Sequence, residues 1–431
     1  MSQPNEENTS QHTPKKKRST WDDSYEVRDV VIASEDVRPT GEKIPVKKDV
    51  ISVEDDYSNY KFLKPKKSRH HHHSSSSDGK KHHHRKHRKK KMKTWKKVVL
   101  IVVSVILTIA ILISAVTVFL VYKGRRELFD VDLQVVVPEE ISADVQDDGD
   151  SIIYEGSRYR YNHDVTTLLF LGVDKQDLEG LNEMGTGGQS DVIVAIAIDV
   201  KYHKMTMIAL PRDTVTEVAL YTTSDGKYDY YGIENMQICK AYAYGDGKRR
   251  SCENTLSSVR RIFFNVPIQT YYALDLRGIS AMNDAVGGIS VTAPETIGDF
   301  KEGQTYFLHG KQAELFVRDR THTEVDASLK RLERQKVYAR SFLATMQSSL
   351  KKNPTSAIKL FNQSSPYSCT NLNAAKVSYL AKEFMFGGGM STDIVTVPGS
   401  QGLDADGETP VYTIDQKAFF EQFLSVYYIK D

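Results

Sequence analysis

The stretch ELFVRDRTHTEVDASLKRLERQ gathers Arg318, Arg320, Arg331 and Arg334, with Asp319, Asp326 and Glu333 set among them. A guanidinium is a planar fork of donors that matches phosphate oxygens two at a time, so a cluster of them fits a ligand with several phosphate charges. A salt-bridged surface is the plainer alternative. Other residues bear on the choice. Asp174 closes the apolar run LLFLGVD, and Asp191 opens the next run after the glycine-rich GTGGQS. Two carboxylates with only oxygen donors nearby suit magnesium rather than zinc. Each could instead cap a neighbouring element, a role aspartate often fills. LPRDT then puts Arg212 and Asp213 behind a proline that stops a third strand. If the three strands end at one edge, that edge carries a cation site and several guanidinium groups, the equipment for a pyrophosphate. No Ser-His-Asp or Cys-His pattern is present, and GTGGQS lacks the lysine of a nucleotide-binding phosphate loop.

The elements that must hold these residues can be read from the apolar pattern. TTLLFLGVD, DVIVAIAID and KMTMIALPRD are nearly continuous apolar runs, which implies strands covered on both faces by helices. YYALDL, a helical stretch from Arg277 to Ala285 and GGISVTA read as strand, helix, strand, and SLKRLERQKVYARSFLATMQSSLKK as an amphipathic helix. DIVTVPGS and DQKAFFEQFLSVYY predict a last strand and helix on the same core, and SIIYEGSRYRYN a hairpin. The expected fold is α/β, a central mixed sheet flanked by helices. It should occupy residues 151–345, with 346–431 as an extension packed on the same domain and the acidic 123–150 as an irregular linker.

Residues 1–97 are polar and strongly basic, with no sustained apolar period, and predict a disordered tail. Its histidine runs lack the spacing of a metal cage. Val98 to Tyr122 carries no charge and is long enough for a transmembrane helix. The lysines and arginines before it far outnumber Lys123, Arg125 and Arg126 after it, which places the N-terminus in the cytoplasm and the C-terminal domain outside. A basic block abutting the membrane suits anionic lipid, and no nucleic acid partner is expected. Three cysteines in an oxidising compartment leave one over. Cys239 and Cys252 flank the turn GDGKRR and are the expected disulfide pair; three reduced thiols are the alternative.

The order LLFLGVD, SDVIVAIAID, LPRDT, AYAYGDG, DAVGGISV, VRDR and RLERQ, from about Thr166 to Phe342, resembles the LytR-CpsA-Psr family of bacterial cell-envelope proteins. One short cytoplasmic tail, one span and an outer domain are similar to that family too. The resemblance implies a transferase that moves a glycopolymer, such as wall teichoic acid or capsular polysaccharide, from undecaprenyl pyrophosphate to peptidoglycan with Mg2+, in a Gram-positive bacterium. It implies that Asp174 and Asp191 hold the metal and that Arg212, Arg318, Arg320 and Arg331 grip the pyrophosphate. Asp326, or Asp213, would take the acceptor proton. An apolar tunnel would receive the polyprenyl tail. The chain departs from the family pattern at Gln189, where arginine is usual, at Lys175-Gln176 and at Gln237; Lys175 is expected to supply the charge that Gln189 drops. A pyrophosphatase, or a lipid-pyrophosphate sensor without turnover, would use the same residues.

Overall fold

The computed structural model describes residues 94–175, 185–224, 227–319, 327–353, 355–386 and 390–431. The tail expected to be disordered, with its histidine runs, lies outside the described residues as far as position 93. From Thr94 the chain is already helical: α1 runs Thr94–Phe129 as one helix of 36 residues, long and apolar enough to cross a membrane. At 1.5 Å per residue it measures about 54 Å, well beyond the roughly 30 Å of a hydrocarbon core. Its last turns therefore belong to the domain. Leu128 is buried, and its carbonyl accepts from Thr166 Oγ1 at 3.0 Å. Glu127 accepts from Asn373 at 2.7 Å. A β-carbon at Gly124 would collide with the Ala375 carbonyl, so only glycine allows this approach.

The segment 123–150, expected as a linker, is thus not one. It begins as helix, and Val135 and Ile141 are buried in the main core. Their isolated apolar side chains carry no periodic signal, which is why composition alone reads as loop. β1 (Asp144–Gln146) pairs with β2 (Ser151–Tyr154), and β2 with β3 (Ser157–Tyr161), the hairpin expected around Gly156.

The three long apolar runs are β4 (Val165–Val173), β5 (Ser190–Asp199) and β6 (Lys204–Leu210), antiparallel neighbours in that order. A two-stranded ribbon follows, β7 (Val215–Ser224) with β8 (Lys227–Gln237), and then α2 (Arg249–Ile262). β9 (Thr270–Leu274) pairs parallel to β4, and α3 (Leu276–Ala285) begins with Asp275 accepting from Gly278 N at 2.9 Å, an N-cap. β10 (Ile289–Thr292) and β11 (Thr305–Leu308) form a small ribbon before α4 (Lys311–Arg318) and α5 (Ala327–Lys352). α6 (Ser356–Ser364), β12 (Ser368–Thr370), α7 (Ala374–Phe386) and β13 (Ser391–Thr396) come next. β14 (Gly399–Leu403) pairs with β15 (Pro410–Ile414), and α8 (Gln416–Tyr427) leads into β16 (Tyr428–Lys430), which closes a second sheet beside β3.

The central sheet has the order β12-β9-β4-β5-β6-β13, with β4/β9 and β6/β13 parallel and the rest antiparallel, a mixed sheet as expected. Both of its edges come from residues beyond 346, and the boundary expected at 345/346 falls inside α5. The last segment is therefore part of the sheet rather than an addition to it.

Side-chain alternation along the strands gives the sheet two apolar faces. Leu169, Leu171, Ile193, Ala195, Ile208 and Leu210 meet Phe263, Phe264 and the Phe419, Phe420 and Phe423 of α8. Phe264 lies 4.9–5.4 Å from those three rings of α8, within the range of favourable aromatic pairs. Phe170, Val192, Val194, Ile196, Met205 and Met207 face the other way, toward Leu332, Ala339 and Leu343 of α5 and Leu380 and Phe384 of α7.

Candidate active site

β4 ends where β5 begins, and the bulge between Gly172 and Val173 turns the chain so that Asp174 N donates to Gln189 O at 2.9 Å. Asp174 and Asp191 thereby share one edge of the sheet. Pro211 stops β6 at the same edge and leaves Arg212 there. Arg212 Nη1 donates to Asp191 Oδ1, and its Nη2 donates to Gln189 Oε1 at 2.5 Å and reaches Cys239 Sγ at 3.3 Å. Arg331, on the first turns of α5, donates from Nη1 to Asp191 Oδ2 at 3.1 Å. Asp191 is thus shared by two guanidinium groups, one on each oxygen. Arg318, at the end of α4, is half exposed, with Nε 3.7 Å from Asp174 Oδ1. Lys175 lies against Gly188 in the same loop.

Asp174, Asp191, Arg212, Arg318, Arg331, Gln189 and Lys175 are therefore brought together as the sequence predicts. Arg320 and Asp326 lie outside the described residues. Asp213 is near but turned inward: it is 3 % exposed, and its Oδ1 sits 3.3 Å from Arg212 Nε and from Gln237 Nε2. That places Asp213 as a brace for Arg212 rather than a base open to a substrate. Gln189 likewise serves as an acceptor that orients Arg212.

Burial works against the charge of Arg212, yet Cys239, Asp191 and Asp213 outweigh it and raise its pKa. At neutral pH the two carboxylates carry that effect, because burial pushes the Cys239 thiol up to about 11 and keeps it protonated. Cys239 was missed as a site residue; a cysteine after a strand gives no signal that its sulfur will back an arginine. The same placement removes the expected disulfide. All three cysteines are thiols, with Cys239 facing Arg212 and Gln189 while Cys252 lies in the core among α2 residues.

Arg334 separates from its neighbours. It is 1 % exposed; Nε donates to the Phe316 carbonyl, Nη1 to Glu295 and Nη2 to the Asp319 carbonyl. Those contacts satisfy the guanidinium and tie α5 to the end of α4, so Arg334 holds Arg318 in place and is spent as a ligand group.

Among the described residues no three His, Cys, Asp or Glu side chains gather as a metal cage. Asp174 and Asp191 nevertheless fit magnesium. They are hard oxygen donors; Asp174 is exposed, each oxygen of the more buried Asp191 keeps a second lone pair beside its arginine, and substrate phosphates commonly complete such a shell.

The face of the sheet toward α5, α6 and α7 borders a partly open cavity of about 370 Å³. Its wall is apolar: Phe170, Val194, Ile196 and Met207 from the strands, Ala339, Phe342 and Met346 from α5, and Leu360, Leu380 and Phe384 from α6 and α7. The wall reaches Val192, Val317 and Leu332, each one residue from Asp191, Arg318 and Arg331.

The site is thus a hollow α/β sandwich whose apolar cavity wall runs up to residues adjoining a cluster of guanidinium and carboxylate groups. The chain belongs to the LytR-CpsA-Psr family, whose model matches residues 138–424. A polyisoprenyl-teichoic acid–peptidoglycan teichoic acid transferase, TagU of Bacillus cereus, is 31% identical over 144 residues, 33% of this chain and 38% of that protein. The similarly described TagV of Bacillus subtilis is 27% identical over 194 residues, 42% of this chain and 44% of that protein. The chain thus spans less than half the length of these curated relatives. The solved structure of B. subtilis TagV covers 61% of this chain and 94% of its own, at 23% identity and a TM-score of 0.46.

Proposed function

We propose that the chain is a membrane-anchored phosphotransferase that moves a glycopolymer from a polyprenyl-pyrophosphate carrier to peptidoglycan, with its domain on the outer side of the membrane. The observation that carries this reading is the junction between the apolar cavity and the arginines: the cavity wall includes Val192, Val317 and Leu332, the chain neighbours of Asp191, Arg318 and Arg331. The names of the relatives support the choice of polymer donor and acceptor.

In the proposed reaction a sugar hydroxyl of the acceptor attacks the phosphorus bonded to the glycan. The bond to the carrier phosphate breaks, and polyprenyl phosphate leaves with the negative charge. Arg212, Arg318 and Arg331 meet that charge, and since phosphoryl transfer needs little covalent help, placing them is most of the catalysis. Asp213 and Gln189 keep Arg212 pointed at Asp191. The hydroxyl proton is assigned to Asp326, since the Asp213 carboxylate is buried. Magnesium bound at Asp174 and Asp191 would supply further positive charge to the phosphates.

The test is to incubate the full chain in detergent with a polyprenyl-pyrophosphate oligosaccharide, a peptidoglycan acceptor and magnesium. A glycan covalently joined to peptidoglycan is the expected product, lost on chelation. Free phosphate without a joined glycan would make the protein a hydrolase, and tight binding without product a sensor.

A further inference from the structure

Cys252 and Cys369 are remote in sequence yet adjacent in space. Cys252 is fully buried on α2, and Cys369 packs against the same core from the middle of β12. Cys369 stands opposite Ala273 on β9, which sets it at the edge of the central sheet where α2 passes. α2 packs against β12 here, and the two thiols perturb one another. Cys239 is withdrawn from both by its contacts with Arg212 and Gln189.

We propose that Cys252 and Cys369 become a disulfide in the mature protein, joining α2 to the edge strand β12. The proposal rests on the reading above that the domain is exported, since such bonds persist in oxidising compartments. Cys369, only partly buried where Cys252 is fully so, is the entry point. The neighbouring Cys252 thiol draws that of Cys369 below the ordinary range, which raises the thiolate fraction. The Cys369 thiolate attacks a donor disulfide, for example on an exported thiol–disulfide oxidoreductase, and one donor sulfur leaves. Cys252 gives up its proton and displaces the second donor sulfur from the mixed disulfide. The pair is oxidised by two electrons, and the donor is reduced to its dithiol.

The bond would matter for the cavity. Cys369 lies between α6 and α7, both of which line it, whereas α2 belongs to the packed face. One cross-link around the sheet edge would fasten the cover of the hollow face to the solid one. It also closes a long loop, the case in which a disulfide stabilises most.

Purified full chain in detergent is treated with oxidised glutathione, alkylated with N-ethylmaleimide and digested without reductant. The expected result is a peptide linking Cys252 to Cys369, with Cys239 alkylated after denaturation. Glutathione left on Cys369, or a Cys239–Cys252 link, overturns the proposal. Reductant should lower the melting temperature of the linked chain by roughly 5–10 °C, and Cys252→Ser or Cys369→Ser should each abolish that response. Protein alkylated during extraction from its own membranes should already carry the bond; both thiols free there overturns it. Protease shaving of intact cells reports the side of the membrane separately, so failure of the exported reading is distinguishable from failure of the pairing.

Discussion

The two faces of the central sheet come from the same strands and the same alternation, but only one of them is filled. Phe263, Phe264, Phe419, Phe420 and Phe423 close one face ring against ring. Across the strands, α5, α6 and α7 stand off and leave about 370 Å³ among apolar side chains. That hollow is partly open, a pocket rather than a sealed void. The filled face serves the fold, and the hollow one leaves room for a ligand of the kind proposed above.

The sharpest way to break this contrast is to cut into the filled face. Phe423→Ala should destabilise by about 3–5 kcal/mol, as large-to-small changes in a tight core do, read from urea unfolding; a cost under about 1 kcal/mol would mean that the two faces do not differ. Next is the rim of the hollow face. Arg318 is half exposed, so Arg318→Ala should leave the melting temperature almost unchanged. Transfer should nevertheless fall about a hundredfold, the scale of one lost electrostatic contact to the reacting group. Unaltered turnover would return Arg318 to a surface salt bridge.

A smaller effect comes from filling the hollow. Ala339→Phe puts a ring into the cavity wall, so stability should hold or rise while transfer drops about tenfold with a higher KM for the lipid donor. Tolerance of the ring with full activity would show that the tail lies elsewhere. The smallest change is Phe342→Ala on the cavity side, expected to cost less than about 1 kcal/mol because that ring borders the cavity rather than a packed core. A cost like that of Phe423→Ala would erase the distinction between the faces.

Much of the scaffold was legible because apolar runs report burial directly: β4, β5, β6, β9 and α5 fall where the pattern puts them. The site at the strand ends was legible for the same reason, since the strands fix where Asp174, Asp191 and Arg212 emerge. The ribbon β7–β8 was overlooked although Asp225-Gly226 between β-rich runs is a hairpin signal. Arg334 could not be told from Arg331 by type. Three residues apart on a helix, they point about 60° from one another, enough to send one into the site and the other into the joint with α4. The cysteine pairing was illegible because nothing near Cys252 in sequence announces that β12 will lie beside it. Asp213 read as a candidate base because its chemistry is right; its burial against Gln237 is a tertiary fact.

Gly124 carries a consequence for where the protein can work. The helix long and apolar enough for a membrane enters the domain without a break and packs closely on Ala375, which leaves no swivel between that helix and the domain. On the proposed function, a helix anchored in the bilayer would hold the domain like a bracket bolted to a post, at one height and one tilt. The arginine-lined edge would then sweep only a thin shell parallel to the membrane, and an acceptor strand would have to pass through that shell to be modified. The selection of which part of the wall receives polymer would thus be geometric, decided by altitude before any contact with the acceptor is made.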